Sequence, residues 1–375
     1  MPVPLPSEAD VLLKPPDEAE VAWLGRGIVS AVRPDGGQTE LQALVLRSVF
    51  ESMTGFTVDP FDVEPIGPEE FATGLARRNL EFRTRIVQVM LLGEMILVPL
   101  PGEVSQRVER FADELGVDEG MLHLARDFAE GSMTLAVADF ERLGYTADWD
   151  ESRCDVLHTS EHLEQAWDMS LDDPALAARW AEMEGYPEGS LGRSVTEFYR
   201  SRGFRYPGLP GSAPPYLAQH DWVHVLADFG TTVESELEVF GLIGRAIPDY
   251  RGFSLLAMVV SLFQTGYLSS GAGLFQADAG HLDRQGMPAR LGDAMRRGAI
   301  CGQDLMGQDW FAYAESPIEV VRRELSIPPK GDVAIKAGSV GPWQRGAISP
   351  YQANSGRQLA EAEGRTYESF GASVA

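Results

Sequence analysis

The stretch HDWVHVLADFGTTVESE, residues 220–236, decides how the chain is read. His220-Asp221-Trp222-Val223-His224 sets two imidazoles at i and i+4. On a helix these positions share one face, with Cβ atoms ~5–6 Å apart. Both rings can then reach one ion at ~2.0–2.1 Å. Glu236 follows His224 by twelve residues and on an unbroken helix would lie ~18 Å further along the axis. The sequence breaks the helix between them. Asp228-Phe229-Gly230 is expected to end it, with Gly230 in the left-handed C-terminal position, and Thr231-Thr232-Val233-Glu234 to open the next helix as a capping box. The chain then turns back and brings Glu236 opposite the histidines. Asp221, ~100° round the helix from His220, either reaches the ion or orients a ligating imidazole. Two histidines with one or two carboxylates leave positions open for water or substrate, as catalytic sites do. On the residues alone, the alternative is a buried polar patch without metal.

Helical periodicity continues outward from this stretch, and no run of alternating strands interrupts it, so the expected class is all-α in two helical units. Val104, Val108, Phe111 and Leu115 fall at i, i+4, i+7 and i+11, and Gly116 closes that helix. Gly67-Pro68-Glu69-Glu70 opens another with acids in its first turn. A largely apolar helix over 80–98 is stopped by Pro99, Pro101 and Gly102, and the pattern continues through 118–130 and 132–143. Asp173-Pro174 reads as N-cap and first helical residue. Prolines at 2, 4, 6, 15 and 16 make residues 1–44 an irregular segment ahead of a helical bundle over 45–149. The metal-binding unit spans 150–330. Beyond Lys330 the composition turns to Gly, Ser, Gln and Ala, and 331–375 reads as an extended or partly disordered tail, free or wrapped on the domain or a partner, and dispensable for folding.

Composition narrows the function. The chain has 375 residues, 44% of them hydrophobic, enough for a sizeable core. Thirty-one basic against 56 acidic residues give a net charge of −25, which repels phosphate backbones and anionic headgroups. Nucleic acid is therefore excluded as a main partner, while an apolar small molecule is not. Cys154 and Cys301 form no disulfide framework, and the N-terminus lacks a basic and an apolar region, so a cytoplasmic location is expected. Residues 253–275 carry no charge. Their strongly apolar part, 253–263, is about half the ~20 residues that a span needs. It reads as a buried helix, which rejects a transmembrane span and leaves peripheral membrane contact open. A rival ligand set, Cys154-x3-His158-x3-His162, also runs at helical spacing, but Glu161 and Glu164 mark its face as solvated. His123 and His281 stand alone and read as surface or core residues.

Two resemblances add to this. The pattern H-D-x-x-H-x11-E of 220–236 resembles the signature of the ubiquinone biosynthesis protein 4 family. "GYPEGSLGRSVTEFYRSRGF" (185–204) is similar to that family's P-x-G-[ST]-L-G-R segment, and "AMRRGAICGQDLMGQDWFAYAESPIEVVRRELSIPP" (294–329) to its closing segment, all in the right order over about 170–330. The resemblance implies an all-helical domain whose metal ligands are His220, Asp221, His224 and Glu236. The implied ion is zinc first, with iron or cobalt as alternatives. The implied activity replaces the C1 carboxylate of a polyprenylated aromatic acid with hydroxyl, or organises the enzymes that modify such a ring. A lipophilic small molecule, partner biosynthetic enzymes and a homo-oligomer are the partners that follow. Arg193, in the Gly-Ser-Leu-Gly-Arg turn, is placed to pair with a substrate anion, the other reading being a structural ion pair. Ser235 stands where the family usually has glycine, and Trp222-Val223 where it has an apolar-aromatic pair. Separately, "LPGEVSQRVERFADELGVDE" (100–119) is similar to the tellurite-resistance TerB-like helical bundles.

Overall fold

A computed structural model describes residues 15–117, 120–130, 132, 144–147, 149, 152–160, 163–168, 171–266 and 279–374. The expected helix over 132–143, Ser132 apart, and the end of the uncharged run, 267–275, lie outside the described residues. The fold is all-α, with one pair of short strands. The chain forms two compact units. One comprises the chain up to Tyr145 with 249–269 and 278–293, and the other comprises 146–248 and 294 onward. The second unit is thus interrupted, not the continuous 150–330 that the sequence suggested.

The first unit begins with α1 (Glu18–Val32), inside the segment expected to be irregular. Pro15 and Pro16 precede the N-cap, Asp17, whose side chain accepts from the Glu20 amide at 2.9 Å. The prolines therefore start the helix instead of breaking it. Val21, Leu24, Ile28 and Val32 form its buried stripe. Thr39 and Gln42 make a true capping box for α2 (Glu40–Thr54). The buried Gln42 amide also donates to the Val32 and Gly93 carbonyls at 2.9 and 2.8 Å, tying three helices at one point. Next come α3 (Pro68–Gly74), α4 (Leu80–Met95), α5 (Gly102–Leu115) and α6 (Met121–Ala129). The α5 stripe Val104, Val108, Phe111 and Leu115 is buried as its spacing predicted, and Gly116 takes the left-handed cap at φ 65°.

Short helices dominate the second unit. They are α7 (Ser152–Leu157), α8 (Pro174–Glu182), α9 (Leu191–Arg202), α10 (Gln219–Leu226) and α11 (Val233–Ala246). The uncharged run then forms α12 (Phe253–Val260) in the first unit, buried except for Met258. Among the described residues, no helix is long and apolar enough to cross a membrane. The chain returns to the second unit within α13 (Met287–Cys301) and continues through α14 (Ile318–Glu324) and α15 (Asp332–Lys336). Strand β1 (Arg345–Ile348), α16 (Pro350–Ala362) and strand β2 (Ser373–Val374), which pairs in parallel with β1, complete it.

Residues 331–374 are therefore not an extended tail. Ser349 and Gln352 form a capping box with Pro350 in the first turn. Ala347, Ile348, Ala353 and Ala372 pack into a small core flanked by Val340 and Trp343. Small side chains let α16 lie close to α9: a Cβ on Gly203 would meet the Ser355 carbonyl carbon at 2.3 Å, and one on Gly356 the Ser201 oxygen at 2.6 Å. Contact of this kind runs backbone to backbone and needs no apolar stripe.

Two outcomes follow. Truncation after Lys330 deletes this core and several buried hydrogen bonds, each worth ~1 kcal/mol. A chemical-denaturation midpoint well below that of the full chain, or an insoluble product, is expected. In the first unit Glu94 is fully buried, with neither carboxylate oxygen hydrogen-bonded. Burial, reinforced by Glu109, holds its carboxyl well above the usual 4.5. A raised carboxyl favours the fold below its unfolded value, and that contribution is lost as pH climbs toward the native value. Glu94→Gln should flatten the dependence of stability on pH as pH rises above the usual carboxyl value of 4.5. Its gain over the unmodified chain should grow with pH to ~1–3 kcal/mol, read from denaturation at each pH.

Candidate metal centre

Both histidines sit on α10, only eight residues long, so the surroundings must hold it. At its start, Gln219 donates to the Met306 and Gln308 carbonyls at 3.1 and 2.8 Å. Past its end, the carbonyls of Leu226 and Ala227 are taken by Arg322 and Arg297 at 2.6 and 2.7 Å, cations where the helix dipole favours them. The helix does stop where the sequence indicated, but the left-handed residue is Asp228 at φ 64°, not Gly230. Asp tolerates that region better than most residues. Gly230 serves another purpose: a Cβ there would meet the Ala347 oxygen at 2.9 Å. The expected capping box at Thr231–Glu234 does not form. Thr232 is the N-cap of α11, without a side-chain cap bond. The register is one residue later, and Thr231 is left to bond elsewhere.

The turn brings Glu236 back as anticipated. Its Oε2 lies 3.3 Å from His224 Nε2 and 3.6 Å from His220 Nε2, and His220 Nε2 lies 3.6 Å from Asp221 Oδ1. Four ligands at ~2.1 Å in a tetrahedron are ~3.4 Å apart, so these separations suit one ion. His220, Asp221 and His224 offer donor atoms within 4.8 Å of one another and can hold a metal. Each ring's other nitrogen is engaged: His220 Nδ1 with the Leu217 carbonyl, and His224 Nδ1 with the Gly230 carbonyl at 2.7 Å. A ring that donates from Nδ1 turns the lone pair of Nε2 into the cluster, the state a metal requires. His224 stacks on Phe198 with centroids 5.6 Å apart, and His220 packs on Phe240 at 5.1 Å.

Tyr199, fully buried on α9, donates to Asp221 Oδ2 at 2.6 Å and so fixes which carboxylate oxygen faces the cluster. Burial and the Asp221 charge raise the phenol's pKa far above its usual value, keeping it a donor. Burial also lifts the Asp221 carboxyl against the pull of both histidines and Tyr199. For Glu236, burial is outweighed by His224 and His220, and the carboxyl is held down at about 2. For His220, burial lowers the pKa, but Asp221 and Glu236 outweigh it and carry the ring to about 9. Metal-free, the cluster thus keeps a proton on His220 between two carboxylates.

Arg193 is not free for a substrate anion. Its guanidinium pairs with Glu197 at 2.8 Å, one turn on, and with the Glu184 carbonyl. The arginine whose charge does act on the two carboxylates is Arg202 at the other end of α9, fully buried. Burial brings it down to about 9, partly offset by Tyr367, Asp221 and Glu236. The sequence reading missed Tyr199 and Arg202, although both lie at helical spacing on the segment that it singled out. The rival cysteine–histidine set does not assemble from its described members. Helix α7 ends at Leu157, His158 has φ 57°, and its ring bridges Asp309 at 2.7 Å and Arg179 at 2.9 Å. Cys154 Sγ accepts from the Leu163 amide at 3.5 Å, and His162 lies outside the described residues. His123 is exposed, and His281 is buried.

Set against protein-family models, curated proteins and solved structures, the chain has no significant match. The likeness to the ubiquinone biosynthesis protein 4 family therefore rests on the motif residues themselves.

The geometry predicts about one equivalent of Zn2+, Co2+ or Fe2+ per chain, lost in His224→Ala, by elemental analysis after dialysis. Because His220 carries a proton below about 9, metal uptake at pH 7 should release about one proton, and less as pH passes 9. Calorimetry in two buffers of different ionisation heat measures this. An affinity that His224→Ala leaves intact would remove the site.

Proposed function

We propose that the protein is a metal-dependent enzyme acting on a lipophilic, prenylated aromatic acid, with loss of the C1 carboxylate. The observation that carries this reading is that His220, Asp221 and His224 bring donor atoms within 4.8 Å of one another, with Glu236 Oε2 3.3–3.6 Å from the two imidazoles. The motif order over about 170–330 supplies the substrate class. Zinc suits two imidazoles and carboxylates best, with iron or cobalt as alternatives.

When bound, the ion would supply Lewis acidity and positive charge, an electrostatic contribution of several kcal/mol in a dry site. The chain's own groups do the rest. His220 and His224, held by backbone carbonyls, keep their lone pairs directed inward. Tyr199 locks Asp221. Arg202 gives local positive charge against the overall −25 that works against an acidic substrate. The carboxylate leaves as carbon dioxide. Its bonding electron pair stays on the ring carbon and takes up a proton; in the oxidative branch the pair passes instead to dioxygen, which leaves as hydrogen peroxide, and water supplies the hydroxyl oxygen to the ring carbon.

The alternative is a lipid-binding scaffold in which the ion only joins α10 to α11. The burial of Asp221, His224 and Glu236, with His220 half-buried, suits it as well as turnover does. Metal-loaded protein incubated with a prenylated 4-hydroxybenzoate and oxygen is expected to release carbon dioxide, with at least a hundredfold loss in His224→Ala and in Glu236→Gln. Tight lipid binding without release, across several ring acids and metals, would favour the scaffold.

A further inference from the structure

The turn between α10 and α11 bears directly on the candidate metal centre, because it carries the atoms that position His224 and Glu236. The Gly230 carbonyl orients His224 at 2.7 Å, and the Thr232 carbonyl accepts the Glu236 amide at 3.0 Å. The remainder of this turn is held by the C-terminal segment, far away in sequence. Gly230 N–H donates to the Val340 carbonyl at 2.9 Å, and Thr231 N–H to the Ala347 carbonyl at 2.8 Å. The Gln352 amide donates to the Thr231 carbonyl at 3.0 Å, while its oxygen accepts from Thr231 Oγ1 at 2.8 Å. Thr231 Oγ1 also accepts from Arg202 Nε at 2.8 Å, and Arg202 Nη2 donates to the Pro342 carbonyl at 2.8 Å. Thr231, Gln352 and Arg202 are each at most 1% exposed, so these bonds have no competition from water. The joint has no slack, since a Cβ on Gly230 would sit 3.0 Å from Ala347 Cα.

We propose that residues 340–352 are a clamp on the metal centre, with Thr231 and Gln352 as its positioning residues, so that metal binding and docking of the C-terminal segment strengthen each other. The inference rests on the metal reading above and not on the substrate. The clamp fixes Gly230 and Thr232, and through them the separation of His224 Nε2 from Glu236 Oε2. Coupling of this kind is reciprocal: whatever factor the clamp adds to metal affinity, the ion adds to clamp docking. Groups one bond removed from metal ligands commonly change affinity by ~10–100-fold.

The test uses the full chain. Zn2+ affinity is measured by competition with a chromogenic chelator, and ligand geometry by the visible spectrum of the Co2+-loaded protein. Thr231→Val, which keeps shape but removes the hydroxyl, and Gln352→Ala should each weaken Zn2+ binding ~10-fold or more and alter the Co2+ spectrum. Thr231→Ser, which restores the hydroxyl, should recover both. A second measurement needs no variant: adding Zn2+ to the unmodified chain should slow limited proteolysis within 331–374. Cooperatively folding variants with unchanged affinity and spectrum would overturn the clamp, as would cleavage of this segment indifferent to the ion. A chain that binds Zn2+ through Thr231 and Gln352 in this way but releases no carbon dioxide would leave the clamp standing and remove the substrate reading.

Discussion

The hydrogen bond between His224 Nδ1 and the Gly230 carbonyl is the constraint on which the rest of the second unit turns. The ring is fully buried, so each of its nitrogens needs a partner. One is satisfied by the chain's own turn six residues on, which leaves the other to face Glu236 at 3.3 Å. An imidazole held this way cannot rotate without stranding a buried polar atom. The position of the turn therefore becomes the position of the site. The turn in turn depends on Val340 and Ala347, which is why the last forty or so residues are part of the centre and not an appendage.

Electrostatics explains the residues gathered around that bond. Two carboxylates, Asp221 and Glu236, are buried together, and burial with the Glu236 charge raises the cost of ionising Asp221. Positive charge must be near. The His220 proton supplies it in the metal-free protein, and a divalent ion would supply it on displacing that proton. Arg202 adds a fixed charge that cannot be displaced. Its donors go to neutral acceptors, Ser201 Oγ, Thr231 Oγ1 and the Pro342 carbonyl, and its face lies on Phe198 at 4.1 Å. No carboxylate neutralises it by direct contact in those bonds, so its field remains available to the cluster.

The sequence carried the spacing that pairs His220 with His224, the helical class and the break that returns Glu236, because these follow from periodicity and from turn-forming residues. It misplaced the left-handed residue, since Asp228 and Gly230 both suit that role and only the close approach of Ala347 decides between them. It hid the first helix behind Pro15 and Pro16, which lie just outside Asp17. It hid the clamp because Ala353, Gly356 and Ala360 carry too little apolar surface to register as a stripe. For Arg193 the pairing was legible after all: Glu197 at i+4 is the ordinary partner of such an arginine.

Exposure also gives the site a direction. The His224 side chain is 0% exposed and Glu236 6%, while Asp221 reaches 9% and His220 13%. Solvent therefore touches the cluster from the side of His220 and Asp221. The fully buried His224 marks the dry side of the cluster. This division separates two tasks that one element could not perform together. The turn side must be rigid and dry, because it fixes ligand geometry through buried hydrogen bonds. The His220 side, which the proposed function would open to a substrate, is held more locally, His220 by a carbonyl on its own helix entry and Asp221 by Tyr199. A helix only eight residues long suits the arrangement: it is long enough to align two imidazoles and short enough for both of its ends to be fixed by other parts of the unit.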